Sequence, residues 1–237
     1  MSSEIATKPY SLSWLGHFFS SSVGRKLIMS LTGLFLCLFL AVHMSGNLQL
    51  LKSDGGRAFN EYAYTMTHFA PIKVVSYITY FFILLHAFDG VALALKNRQA
   101  RPVKYAATPT GSTWASRNMT LLGVIIFFFL VVHLKGFWFE YKFGAMPTVT
   151  YDGKEFKDLY SIVKEAFSQW WYVLLYLISL VALAYHLIHG FQSAFQTLGL
   201  NHKKYTPIIK AFGWFFSIGV NLGFAIQPLY LFFIQQS

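Results

Sequence analysis

WWYVLLYLISLVALAYHLIHGFQSAFQTLG, residues Trp170–Gly199, decides the fold. These thirty residues contain no Asp, Glu, Lys or Arg. They exceed the roughly 20 apolar residues that carry a helix across a bilayer. Two histidines, His186 and His189, lie inside the stretch. An imidazole in hydrocarbon is costly and marks a candidate functional site. Three other long apolar stretches hold one histidine each: His43, His86 and His133. The fold class follows from the helices, and the functional question from the histidines.

Outward from that stretch, apolar residues make up 55% of the 237-residue chain and fall in long blocks rather than short alternation. That pattern predicts an all-α membrane protein, one transmembrane domain over residues 1–237. Five spans are expected at about 27–50, 72–95, 119–139, 170–195 and 208–233. The run after Arg25 and Lys26 is longer than the apolar core of a signal peptide and lacks a small-residue cleavage site, so it reads as a retained first helix. Trp14, Leu15, Phe18 and Phe19 before it suit a short helix lying in the interface. Phe59, Tyr62, Ala63 and Met66 in the first loop, and Phe156, Leu159, Tyr160, Val163 and Phe167 in the third, repeat at helical spacing and suggest amphipathic helices on the membrane. Gly219 and Gly223 form a GxxxG in the fifth span, a small-residue packing signal.

The net charge of +10 is a topology signal. The N-terminal segment, second loop and fourth loop hold Lys8, Arg25, Lys26, Lys96, Arg98, Arg101, Lys104, Arg117, Lys203, Lys204 and Lys210 against one acid, Glu4. On the opposite side, acids nearly balance bases. The positive-inside rule then puts the N-terminus in the cytoplasm and the C-terminus outside. No basic–aromatic platform on a soluble domain points to nucleic acid. The lone Cys37 lies within a helix and offers neither a disulfide nor an iron–sulfur ligand set.

Each histidine sits in the last third of its helix. Because consecutive helices run in opposite directions, His43 and His133 fall near one side and His86 and His186 near the other. At ~1.5 Å rise per residue the two levels differ by roughly 12–15 Å. Two bis-histidine haems stacked across the bilayer fit this arrangement, since neutral imidazole ligates iron and an apolar bundle encloses a cofactor. A lone histidine in a membrane helix is often only a hydrogen-bonded core residue. Four of them, one per helix and paired by depth, ask for more. The diiron hydroxylase alternative draws on His186-Leu-Ile-His189 but lacks the other clustered histidines. A transporter or channel, a non-redox alternative, would more often show broken helices and midplane acids. Only Asp89 resembles one, and it lies near a helix end.

SSVGRKLIMSLTG (Ser21–Gly33), AVHMSGN (Ala41–Asn47), LLHAFDGVAL (Leu84–Leu93), FLVVHLKGFW (Phe129–Trp138) and YHLIHGFQSAFQTLG (Tyr185–Gly199) together resemble the cytochrome b membrane anchor of succinate dehydrogenases and fumarate reductases. The resemblance is to the single-subunit, five-helix, two-haem type and covers essentially the whole chain. It implies that the first and third helices hold a distal haem through His43 and His133, and the second and fourth a proximal haem through His86 and one histidine of the fourth. Two candidates stand there. The family ligand precedes a glycine and a large side chain by four residues, which carries the role to His186 before Gly190-Phe191; His189 then lies at the haem edge or a propionate. The resemblance further implies two haem b, menaquinone or another quinone as substrate, a flavoprotein and an iron–sulfur partner subunit, and a multi-pass location in a bacterial inner (cytoplasmic) membrane. Direction of turnover would depend on the attached subunits. An anchor for another quinone-linked dehydrogenase is the nearest alternative.

Ser22, Arg25, Lys26, Trp114 and Arg117 are candidates to meet haem propionates at the basic side. The family places an acidic quinone-side proton acceptor in the first outer loop, and Glu61 is the candidate. His68, Asn47, Asn221 and Gln227 are lesser ones on that side. Asp89, three residues after His86, could orient a ligand or take part in proton movement.

Overall fold

The computed structural model describes residues 13–100 and 113–234. Glu4, Lys8, Arg101 and Lys104 lie outside the described residues. Among the described residues five helices are long and apolar enough to cross a membrane: Ser22–Leu51, Ala70–Gln99, Met119–Phe143, Trp170–Thr197 and Thr206–Phe233. The chain is an all-α multi-pass membrane protein with one small hairpin.

Helix α1 (Ser13–Ser20) precedes the first span and exposes Trp14 and Phe19, as an interface helix would. α2 (Ser22–Asn47) begins five residues before the predicted start. Ser21 explains why: its hydroxyl accepts from the Gly24 amide at 3.0 Å and caps the helix. A short 3-10 turn, Leu48–Leu51, ends the span. α3 (Arg57–His68) is the amphipathic helix of the first loop. α4 (Ala70–Gln99) has 30 residues. At ~1.5 Å per residue it is about 45 Å long, well beyond a ~30 Å hydrocarbon core, so Lys96 and Arg98 reach the headgroup region.

Beyond the second loop, α5 (Trp114–Arg117) is a single turn capped by the Thr113 hydroxyl. α6 (Met119–His133) continues through a π-helical turn, Leu134–Phe139, into α7 (Glu140–Phe143). No residue pattern predicted that π turn, and it starts directly after His133. Strands β1 (Thr148–Tyr151) and β2 (Lys154–Lys157) then pair antiparallel. The third loop therefore folds partly as a hairpin where only amphipathic helix was expected. α8 (Leu159–Ala166) supplies the helical part.

α9 (Trp170–Thr197) is the centre of the bundle and packs on α2, α6 and α10 (Thr206–Ile234). Its buried residues, among them Tyr172, Tyr176, Ser179, Ala182, Leu187 and Phe191, recur every three to five positions along the inward side. At the hairpin end, Phe167, Tyr172, Val173 and Tyr176 join Leu50, Phe59, Val163 and Leu231 in one core. α3, the hairpin and α8 form a cap over that end. Asn60, 1% exposed, is its hub: its amide donates to Tyr151 Oη at 3.2 Å and Asp158 Oδ1 at 2.9 Å, and its carbonyl accepts from the Tyr160 amide at 2.9 Å. The GxxxG splits in two. Gly223 faces Met44 of α2, where an added Cβ would sit 2.6 Å from the sulfur, while Gly219 faces nothing within 4 Å.

Candidate functional site

The four histidines meet in two pairs. His43 of α2 and His133 of α6 have ring centres 5.9 Å apart with planes at 90°. His86 of α4 and His186 of α9 have ring centres 6.2 Å apart at 70°. The pairs occupy different depths. The His86 ring lies over Gly33 of α2, where a Cβ would come to 3.2 Å of its Cε1, and Gly33 is ten residues from His43. Ten residues of helix correspond to about 15 Å.

At the cap end, aromatic rings wall the first pair. Phe39 stacks on His43 at 5.2 Å, Phe224 lies at 5.7 Å from it, and Phe129 and Phe137 flank His133 at 5.7 and 5.5 Å. The buried Tyr176 hydroxyl stands 3.0 Å from His133 Nδ1 and 3.4 Å from the Tyr172 hydroxyl. The Asn47 amide nitrogen lies 3.4 Å from both ring nitrogens of His43 and donates to its backbone oxygen at 2.8 Å.

Toward the basic end, His86 meets the Met29 backbone carbonyl and also Thr32. The one hydroxyl hydrogen of Thr32 goes to the Ile28 carbonyl at 2.8 Å, so toward His86 Nδ1, 3.1 Å away, the oxygen can only accept. Nδ1 is thereby assigned the hydrogen, and Nε2 keeps its lone pair for a metal. Nδ1 of His186 is buried with no hydrogen-bond partner. His189 turns elsewhere, into a polar cleft with Thr113 and Lys210.

Among the described residues no group of three or more His, Cys, Asp or Glu converges as a metal site. Two imidazoles are few for a bare ion. They suffice for an ion that brings four equatorial ligands of its own. An imidazole nitrogen binds a transition metal at about 2.0–2.1 Å and its ring centre lies about 1.1 Å further out, so two rings on one ion stand roughly 6 Å apart. Both pairs match that spacing, and the donor sets fit a macrocycle-bound iron.

The remaining sequence candidates are dispersed. Arg25 pairs with Asp89 at 3.4 Å, and the second carboxylate oxygen of Asp89 is buried without a partner. Ser22, Lys26 and Arg117 are exposed at the basic end. Trp114 packs edge-on against Tyr185 at 5.4 Å. Glu61 lies on the cap and is ion-paired with Arg57 at 2.9 Å; Arg57 also binds Asp152 of the hairpin turn. His68 stacks on Tyr64 at 3.9 Å and is exposed. Asn221 and Gln227 are buried and donate to carbonyls of their own helix. Between α2 and α3 a cleft of about 490 Å³ offers Ser45, Gln49, Tyr62 and Met66 on otherwise apolar walls. Burial raises the Tyr62 phenol above its ordinary value, so it stays a neutral donor.

Thr32, Gly33 and Tyr176 are the residues that sequence reasoning missed. Their only local signals are a hydroxyl or a small residue within an apolar run. No family model, curated protein or solved structure matches the chain.

Proposed function

We propose that the chain is the membrane anchor and electron-carrying subunit of a succinate:quinone oxidoreductase, holding one haem b between His43 and His133 and a second between His86 and His186. The observation that carries this is the meeting of four helices' histidines as two opposed pairs about 15 Å apart in depth. Bound there, the two haems supply one-electron transfer along the bundle.

The chain's own residues then divide the work. Thr32 and Tyr176 orient the ligand rings of His86 and His133. Phe39, Phe129, Phe137 and Phe224 exclude water from the cap-end pair. At the basic end, which we place in the cytoplasm of a bacterial inner membrane, an iron–sulfur subunit with its flavoprotein docks. At the cap end, a quinone such as menaquinone enters the cleft between α2 and α3, where the Tyr62 hydroxyl and the Gln49 amide can donate to its carbonyls. Glu61 receives or returns the proton through its exchangeable pair with Arg57.

A reduced-minus-oxidised optical spectrum of the purified protein tests the reading. A b-type band is expected, with His43→Ala and His86→Ala each removing one of two distinct components. Absence of any b-type band would overturn it. Loss of quinone turnover in Glu61→Gln, with both haems kept, is expected if that carboxylate handles the proton.

A further inference from the structure

A second polar site lies away from the histidine pairs, at the basic end between α5, α9 and α10. It is a cleft of about 190 Å³ lined only by polar residues, with Thr113, Ser116, Gln192, Ser193 and Lys210 around His189. Lys210 is its cation, and among the described residues no carboxylate lines it. Thr113 already accepts the Ser116 amide at 3.1 Å, so its hydroxyl hydrogen is free to donate into the cleft. Hydroxyls, amides and an ammonium facing one small space make a site for a compact anion rich in acceptor oxygens. A volume near that of six waters, at ~30 Å³ each, admits a phosphodiester but no acyl chain.

What surrounds the cleft says how such an anion arrives. Tyr185 stands one helical turn deeper than His189 and packs on Trp114, and both rings are about half exposed. Tryptophan and tyrosine pairs of this kind sit at the boundary between headgroups and acyl chains. Apolar surface therefore continues from the cleft toward the bilayer core.

We propose that this cleft binds the phosphate of an anionic phospholipid, with Lys210, Ser193 and Thr113 on the phosphate oxygens and the acyl chains against Trp114 and Tyr185. The site does not depend on the presence of haem.

The full chain in nanodiscs of mixed phosphatidylglycerol and phosphatidylcholine, analysed by native mass spectrometry after release, provides the test. One tightly retained phosphatidylglycerol is expected. Lys210→Gln combined with Ser193→Ala should lower its occupancy by about fivefold or more, on the scale of one lysine–headgroup attraction. Lys210→Arg should restore it. The control Lys203→Gln/Lys204→Gln removes more charge nearby and should leave it unchanged, and all variants should elute as the wild type does. Equal loss in the control, equal retention of phosphatidylcholine, or displacement of the lipid by inorganic phosphate would each overturn the proposal. So would loss of the lipid in His186→Ala, which would assign the cleft to a carboxylate of the inner haem.

Discussion

Thr32 is a single hydroxyl within an apolar helix, yet its oxygen stands 3.1 Å from His86 Nδ1. Replacing it with valine keeps the shape and removes one of the two acceptors at the His86 ring, leaving the Met29 carbonyl. Loss of such an outer partner lowers metal affinity by up to roughly 10–100-fold. Under the proposed function, Thr32→Val is therefore expected to loosen the inner haem and leave the outer one intact, read as selective bleaching of one spectral component during haem extraction. Tyr176→Phe is the mirror case. It removes the partner 3.0 Å from His133 Nδ1 and should shift the midpoint potential of the outer haem alone. The histidines themselves were legible, because a charged or polar group in hydrocarbon is conspicuous. Their partners were not, because a threonine becomes a ligand orienter only through the lateral placement of two helices. The choice between His186 and His189 has the same character. They lie less than one turn apart in sequence, and packing sends one toward His86 and the other to a lipid-side cleft.

At the scale of elements, the helices were legible to within a few residues, since twenty apolar residues in a row allow little else. The hairpin was not read, although its signal is present. Tyr151-Asp152-Gly153-Lys154 places a two-residue turn between strands of alternating character, and both central residues adopt positive φ, 48° and 79°. Amphipathic spacing around Phe156 pointed to helix, and the Asp-Gly turn overrode it. Gly153→Val forces a branched side chain into that left-handed conformation at a cost of about 1–2 kcal/mol. Asn60→Ala removes all three hydrogen bonds of the Asn60 side chain and is expected to cost about 3 kcal/mol. Both should appear as faster protease clipping between Gly144 and Gln169 in detergent, with Asn60→Ala the faster. Unchanged clipping in Asn60→Ala would mean that the cap is held by its apolar contacts alone. The π turn after His133 left no trace in the sequence. A wider turn changes which way the following side chains face, but not how apolar they are.

For the whole molecule, five spans and a basic excess confined to alternate loops were readable, and both follow from the energetics of lipid and interface rather than from packing. An odd number of spans places the ends of the chain on opposite sides. Reporter fusions are expected to find the N-terminus with the basic loops in the cytoplasm and the C-terminus across the membrane; both ends on one side would remove one of the five helices from the bilayer. Which helix stands at the centre was not readable, because apolar faces do not distinguish lipid from a neighbouring helix. The structure places α9 there, so the stretch with two histidines is also the one on which α2, α6 and α10 pack. The cap adds a matter of timing. Asn60 binds partners 91, 98 and 100 residues further along the chain. At a synthesis rate of about 5–20 residues per second, that hub waits roughly 5–20 seconds for its partners to emerge. Tyr176 and Phe224 emerge later still, so the roof can form before the walls of the chamber around His43 and His133 are complete, and a large, flat, apolar guest would enter from the side before α9 and α10 close on it.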